Sequence, residues 1–139
     1  MRIVLDTNVV ISALIWSGTP YKLIEAAVDG DVALCTSPAL LDELRTVLAR
    51  QHLATRLERQ QSSMEKAVAL YAALTIKVFP IEALPVVPGD PDDDQVIAAA
   101  VAAAADLLVS GEGQLLALGK HAGFRIVTPA EAVTAVAKS

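Results

Sequence analysis

Near its start the chain runs Met1-Arg2-Ile3-Val4-Leu5-Asp6-Thr7-Asn8, aliphatic residues that stop abruptly at three polar ones. A short, continuously apolar run of this kind is a strand buried on both faces, which a parallel sheet covered by helices on each side provides. Asp6 therefore stands where a strand ends. In an open parallel sheet that edge is where ligands bind, so an acid there is well placed for chemistry and poorly placed for packing. Taken alone, Asp6 is better explained as an N-cap for the helix that follows, since Asp, Thr and Asn all accept from the free amides of a helix start.

The rest of the chain repeats the alternation of strand and helix. Further strands are predicted at residues 32–36, 76–79, 107–110 and 124–127, and helices at 9–15, 20–28, 38–49, 95–105, 115–118 and 129–137. Two more helices fill 51–74 and break near Gln61-Ser62-Ser63. Start signals support these limits. Pro20 and Pro38 occupy first-turn positions, Ser37 is an N-cap, and Thr128-Pro129-Ala130-Glu131 spells a capping box. Residues 80–91, rich in proline, read as a loop, and 119–123 as a turn. Strands separated by helices throughout imply a parallel sheet with helices on both faces, an α/β class.

Bulk properties bound the function. At 139 residues the chain is expected to form one domain, 1–139. Its hydrophobic content is 54% with only 4% aromatic, so the core must be built from Ala, Val, Leu and Ile. A mean hydropathy of +0.50 predicts more apolar surface than a small domain easily hides, hence an oligomer or a permanent partner. The longest apolar run, residues 96–105, falls far short of the roughly 20 residues of a membrane span. With no secretory pattern, and with the lone Cys35 inside an apolar run, a reducing, cytoplasmic location is expected.

Net charge is −5, which argues against general nucleic-acid binding. The distribution qualifies this. Arg45, Arg50, Arg56, Arg59 and Lys66 form a basic band between residues 44 and 66, where only Glu58 and Glu65 oppose them. That band is either a solvated helical face or a rim for phosphates. His52 and His121 lie in polar segments without suitable neighbours and read as surface residues.

Four acids stand out by position. Asp6 follows the first strand and Glu112 follows the fourth, in Ser110-Gly111-Glu112. Glu43 lies at the edge of an apolar helical arc made by Leu40, Leu41, Leu44, Val47 and Leu48, whereas Asp42 points away from it. Asp94 belongs to Asp90-Pro91-Asp92-Asp93-Asp94, ahead of an alanine-rich helix. One acid would cap that helix; four within five residues repel one another and call for a counter-charge. If the first and fourth strands are neighbours where strand order reverses, their ends bracket a crevice. Carboxylates gathered there suit hard Mg²⁺ or Mn²⁺, which can activate water without a His, Cys or Ser nucleophile.

These segments, LDTNVVISAL, LLDEL around Glu43, DPDDDQVIAAA around Asp94 and ADLLVSGEGQLL around Glu112, together resemble a PIN domain, most closely the toxin-type PIN proteins of bacterial and archaeal toxin–antitoxin pairs. The resemblance implies a three-layer α/β/α fold with a five-stranded parallel sheet and a Mg²⁺- or Mn²⁺-dependent ribonuclease acting on single-stranded RNA. It also implies a homodimer held by a cognate antitoxin. Carried over position by position, Asp6, Glu43, Asp94 and Glu112 match the metal-binding acids, and Asn8, Ser110 and Asp93 are supporting positions. Arg45, Arg50 and Arg56 are candidate contacts to RNA. Glu112 departs from the pattern, which more often has Asp; the extra methylene moves a carboxylate by about 1 Å.

Other acid-bearing α/β classes fit less well. A phosphatase of the haloacid dehalogenase type needs a second Asp at position 8, where this chain has Asn8. A phospho-receiver needs paired acids at the first strand and a Lys after the last, and neither is in place. A non-enzymatic module, its acids kept for capping or for a basic partner segment, remains the alternative.

Overall fold

A computed structural model describes residues 1–16, 18–81 and 90–139. At its centre β1 (Arg2–Leu5) runs parallel to β2 (Ala33–Thr36) on one side and β4 (Leu107–Val109) on the other. Beyond β2 lies β3 (Ile76–Lys77), and beyond β4 lie β6 (Phe124–Val127) and β5 (Lys120–His121), giving the order β3-β2-β1-β4-β6-β5. The chain thus builds one half of the sheet outward from β1, then returns to β1 and builds the other. Strand order reverses between β1 and β4, so the crevice beyond their carboxyl ends is the ligand-binding edge.

Alternation along the strands explains the layers. Ile3, Leu5, Leu107 and Val109 face one core with Val9, Val10, Leu23, Leu41 and Leu44, on α1 (Thr7–Ile11), α2 (Thr19–Val28) and α3 (Pro38–Leu48). Val4, Cys35, Leu108 and Ile126 face the other core with Val96, Ile97, Ala99 and Ala100 of α6 (Pro91–Ala102) and Leu115 of α7 (Gly113–Leu118). Each fully buried aliphatic side chain contributes about 1.5–3 kcal/mol, and the buried alanines of α6 let that helix lie close on the sheet. α4 (Gln51–Arg59), α5 (Met64–Leu74) and α8 (Pro129–Lys138) complete the first layer. The expected three-layer α/β/α arrangement is present. The capping box at Thr128 and Glu131 forms as the sequence implies, and Cys35 is a buried free thiol.

Several limits differ from the sequence expectation. The sheet carries a sixth, antiparallel strand, β5, where a turn was expected. Ala122 (φ 45°) and Gly123 (φ 89°) both adopt positive φ, the signature of a two-residue hairpin turn whose twist matches its strands. β3 stops at Lys77 rather than 79, although Val78 still donates one bond to Thr36 (2.8 Å). The first helix passes into a π-helical turn, Ser12–Trp16. α6 begins at Pro91, four residues earlier than expected, because Asp90 caps it: its Oδ1 accepts from the Asp93 amide (3.1 Å). That early start sets the helical phase of the acids that follow. Most of the loop expected at 80–91 lies outside the described residues. Among the described residues, no helix is long and apolar enough to cross a membrane.

Candidate functional site

The parallel pairing of β1 with β4 puts Leu5 opposite Val109, so the next residues, Asp6 and Ser110, leave the sheet side by side although 104 positions separate them. The Asp6 amide continues the ladder by donating to Val109 O (2.9 Å). Its carboxylate Oδ2 accepts from the Ser110 hydroxyl at 2.8 Å, and the same oxygen of Ser110 accepts from the Glu112 amide at 3.0 Å. Ser110 is fully buried and Asp6 nearly so. One hydroxyl therefore orients the first acid and shapes the turn that carries the last.

Asp93 enters from the opposite side, on the first turn of α6. Carboxylate oxygens of Asp6, Asp93 and Glu112 all lie within 4.8 Å of one another. Asp93 is 3% exposed, and its buried Oδ2 has no hydrogen-bond partner among the described residues. Burial, and then the neighbouring Glu112 with Asp90 and Asp6, drives the Asp93 carboxyl far above the ordinary carboxylate range. Asp6 is also raised, by burial against the opposing hydrogen bonds from Ser110 and Thr7, with Glu112 and Asp90 adding repulsion.

Glu43 lies beside this triplet on α3, half-buried. Its carboxyl is pushed up to about 7, first by burial and then by Asp92, with smaller contributions from Asp6 and Asp90, while a hydrogen bond from the Thr7 side chain opposes the rise. Among the described residues, none of the groups that shift Asp6, Asp93 or Glu43 is a cation. Negative charge thus converges on the crevice uncompensated, which is costly without a positive ion. The donor set fits a hard divalent cation. Three carboxylate oxygens within 4.8 Å of one another are close enough to converge on one such ion.

The sequence-derived positions meet this geometry unevenly. Asp6 and Glu112 belong to the triplet, and Glu43 adjoins it. Asp93, assigned a supporting place, is the α6 acid in the triplet; Asp94 is also buried, one residue and about 100° farther round the helix. Asn8 is exposed. Thr7 and Asp90 also act on the site, although little in the sequence marks them. Position next to Asp6 was the only signal for Thr7, and the need for a cap before Pro91 pointed to Asp90. Of the basic band, Arg45 pairs with Asp42 on the exposed side of α3 (2.8 Å) and Arg56 stacks over Trp16 (5.2 Å to the ring centroid). Arg50 stands at the N-cap position of α4 without a side-chain capping bond, at the far end of α3 from Ser37. His52 is exposed as expected, whereas His121 is half-buried and packs edge-on against Phe124 (5.8 Å).

Ser110→Ala tests how far the triplet depends on its buried hydroxyl. Removing it leaves Asp6 Oδ2 and the Glu112 amide without that partner, and the expected result is a 10- to 100-fold weaker Mn²⁺ affinity by calorimetry, about the effect of losing a group that orients a metal ligand. Unchanged affinity would mean that strand pairing alone orients Asp6.

A doubly flanked, mainly parallel sheet with carboxylates converging at its strand-order reversal defines a class of α/β proteins whose acidic crevice could hold a metal ion. More particularly, the family model for the PIN domain matches residues 2–113, and the chain belongs to that family, whose fold is generally that of a nuclease. Comparison with curated proteins and with solved structures returned no match.

Proposed function

We propose that this chain is a Mg²⁺- or Mn²⁺-dependent endoribonuclease for single-stranded RNA, and the toxin of a toxin–antitoxin pair that works as a homodimer with a cognate antitoxin. The observation that carries the nuclease reading is the convergence of Asp6, Asp93 and Glu112 around a buried Asp93 oxygen that has no partner among the described residues. Asp6, Asp93 and Glu112 hold the ion, Ser110 orients Asp6, and Asp94 is the alternative α6 ligand. A divalent cation bound there supplies Lewis acidity, polarising a phosphodiester and making water a stronger nucleophile.

Glu43, whose carboxyl accepts a hydrogen bond from the Thr7 side chain, adjoins the triplet as the fourth metal-binding acid or as the group that takes a proton from attacking water. The basic residues Arg45, Arg50 and Arg56 offer contacts for the RNA backbone away from the acids. The toxin role rests on the toxin-type character of the four acid-bearing segments.

Cleavage of single-stranded RNA by the purified chain, with Mn²⁺ or with EDTA, tests the reading. Wild type is expected to cut with Mn²⁺ and not with EDTA, and Asp6→Asn to lower the rate by more than about 100-fold, since a ligand matters at least as much as the groups that orient it. Absent or metal-independent cleavage, with no Mn²⁺ bound by calorimetry, would favour an interaction module that receives a basic partner segment. The longer Glu112, reaching farther into the crevice than Asp would, is the feature that favours this second reading. For the pairing, a short protein encoded beside this chain is expected to co-purify with it and suppress cleavage.

A further inference from the structure

We propose that the cavity beside the acidic centre, walled by Phe79 and Gln95, is a nucleobase pocket that gives the enzyme a preference for adenine next to the cut. The proposal rests on the ribonuclease reading above. The cavity has a volume of about 270 Å³ and is lined by Ser37, Pro38, Ala39, Phe79, Pro80, Ile81 and Gln95. That is near the lower end of small-molecule pockets, roomy enough for one planar base and too small for a helical peptide segment.

Its position follows from the same two features that build the acidic centre. β2 lies beside β1 with Cys35 opposite Val4, so Ser37 leaves the sheet level with Asp6, one strand spacing of about 4.8 Å away. Gln95 is on α6 two residues beyond Asp93, a rise of about 3 Å and a turn of about 200°, so it leaves the helix on the face away from the triplet. The cavity and the carboxylate triplet therefore share a strand edge and a helix end while facing opposite sides of α6, so a strand that passes over the first turn of the helix meets both.

The walls have the chemistry of base recognition. The chain has only two phenylalanines; Phe124 is fully buried in the core, whereas Phe79 is 71% exposed at the cavity. An exposed aromatic face offers a base a stacking surface, the commonest way a protein takes hold of an unpaired nucleotide. Gln95 is half-buried, and its carboxamide makes no hydrogen bond to another described residue. It presents a donor and an acceptor side by side, the pattern that pairs with adenine N7 and N6. The Ser37 hydroxyl, nearly fully buried, is engaged in capping α3, where it accepts from the Leu40 amide (3.3 Å).

Two measurements test this. The first is fluorescence anisotropy of five-nucleotide oligo(A), oligo(U), oligo(C) and oligo(G) RNAs in EDTA. The second is mapping of cut sites in a mixed-sequence RNA with Mn²⁺. Wild type is expected to bind oligo(A) about 10-fold or more tightly than the others and to cut beside adenines. Phe79→Ala is expected to weaken oligo(A) binding by about 5- to 150-fold, the range for losing one base stack. Gln95→Leu, which keeps the volume, is expected to retain binding but level the four affinities and broaden the cut sites. Equal wild-type affinity for all four RNAs, or selectivity that survives Gln95→Leu, overturns the proposal. So does a Phe79→Ala variant that loses only the co-purifying protein. Because binding is read without metal, a chain that cuts no RNA yet selects oligo(A) fails the nuclease reading alone, and one that cuts without selecting fails the pocket alone.

Discussion

Asp93→Asn should raise the melting temperature of the metal-free protein and at the same time abolish its response to Mn²⁺. The carboxyl is buried, its Oδ2 has no partner among the described residues, and it faces Glu112, Asp90 and Asp6. Replacing it with a neutral group of the same shape removes the cost of keeping that carboxyl protonated at neutral pH, where the unfolded chain would ionise it. A gain of about 1–2 kcal/mol would appear as roughly 3–10 °C in a chain of this size. The same substitution takes away a ligand, so the stabilisation by saturating Mn²⁺ should largely disappear and cleavage should fall by more than about 100-fold. Asp94→Asn is the control. Lying about 100° farther round α6, it should leave most of the Mn²⁺ response in place. The reverse result, with Asp94→Asn losing the metal and Asp93→Asn keeping it, would transfer the ligand role to Asp94, where the family resemblance puts it.

In EDTA, thermal stability is expected to fall as pH rises from 5 to 8. The carboxyls of Asp6, Glu43 and Asp93 all have raised pKa values in the folded chain, chiefly through burial. Between the ordinary and the raised value, the folded state holds more protons than the unfolded state, so each upward step in pH favours unfolding. For Glu43 that window runs from 4.5 to about 7, and Asp93 extends the loss in the same direction. A drop on the order of 5 °C across the range is expected by calorimetry. Saturating Mn²⁺ should reverse the trend, because the ion displaces these protons and binds more tightly as they leave. At 100 times Kd it adds about 2.7 kcal/mol. Stability in EDTA that is flat or rises with pH would show that the acids are already balanced within the protein, and the argument for a cation would fail.

Much of the site was legible along the chain because it depends on local pattern. Ile3-Val4-Leu5 breaking at Asp6, and Leu107-Leu108-Val109 breaking at Ser110, mark strand ends directly, and an acid at a strand end has little packing to do. The edge position of Glu43 follows from helical spacing, and its neighbour Asp42 does face solvent as that spacing requires. The hairpin strand β5 escaped notice because two residues are too few to show a period, and Ala122 is not a residue that advertises positive φ.

What the amino-acid order determined by itself was the alternation of strands and helices, the capping of α3 and α8, and the set of acids available to a cation. The tertiary structure decided which of them meet. Asp6 and Ser110 bond across 104 positions only because β1 and β4 pair at the reversal of strand order. Asp93 takes its place with Asp6 and Glu112 because capping by Asp90 starts α6 at Pro91, and each residue of start position turns a helix by about 100°. Local spacing can show that a carboxylate is out of place, but the direction in which it points depends on where its helix begins and on what the sheet sets opposite.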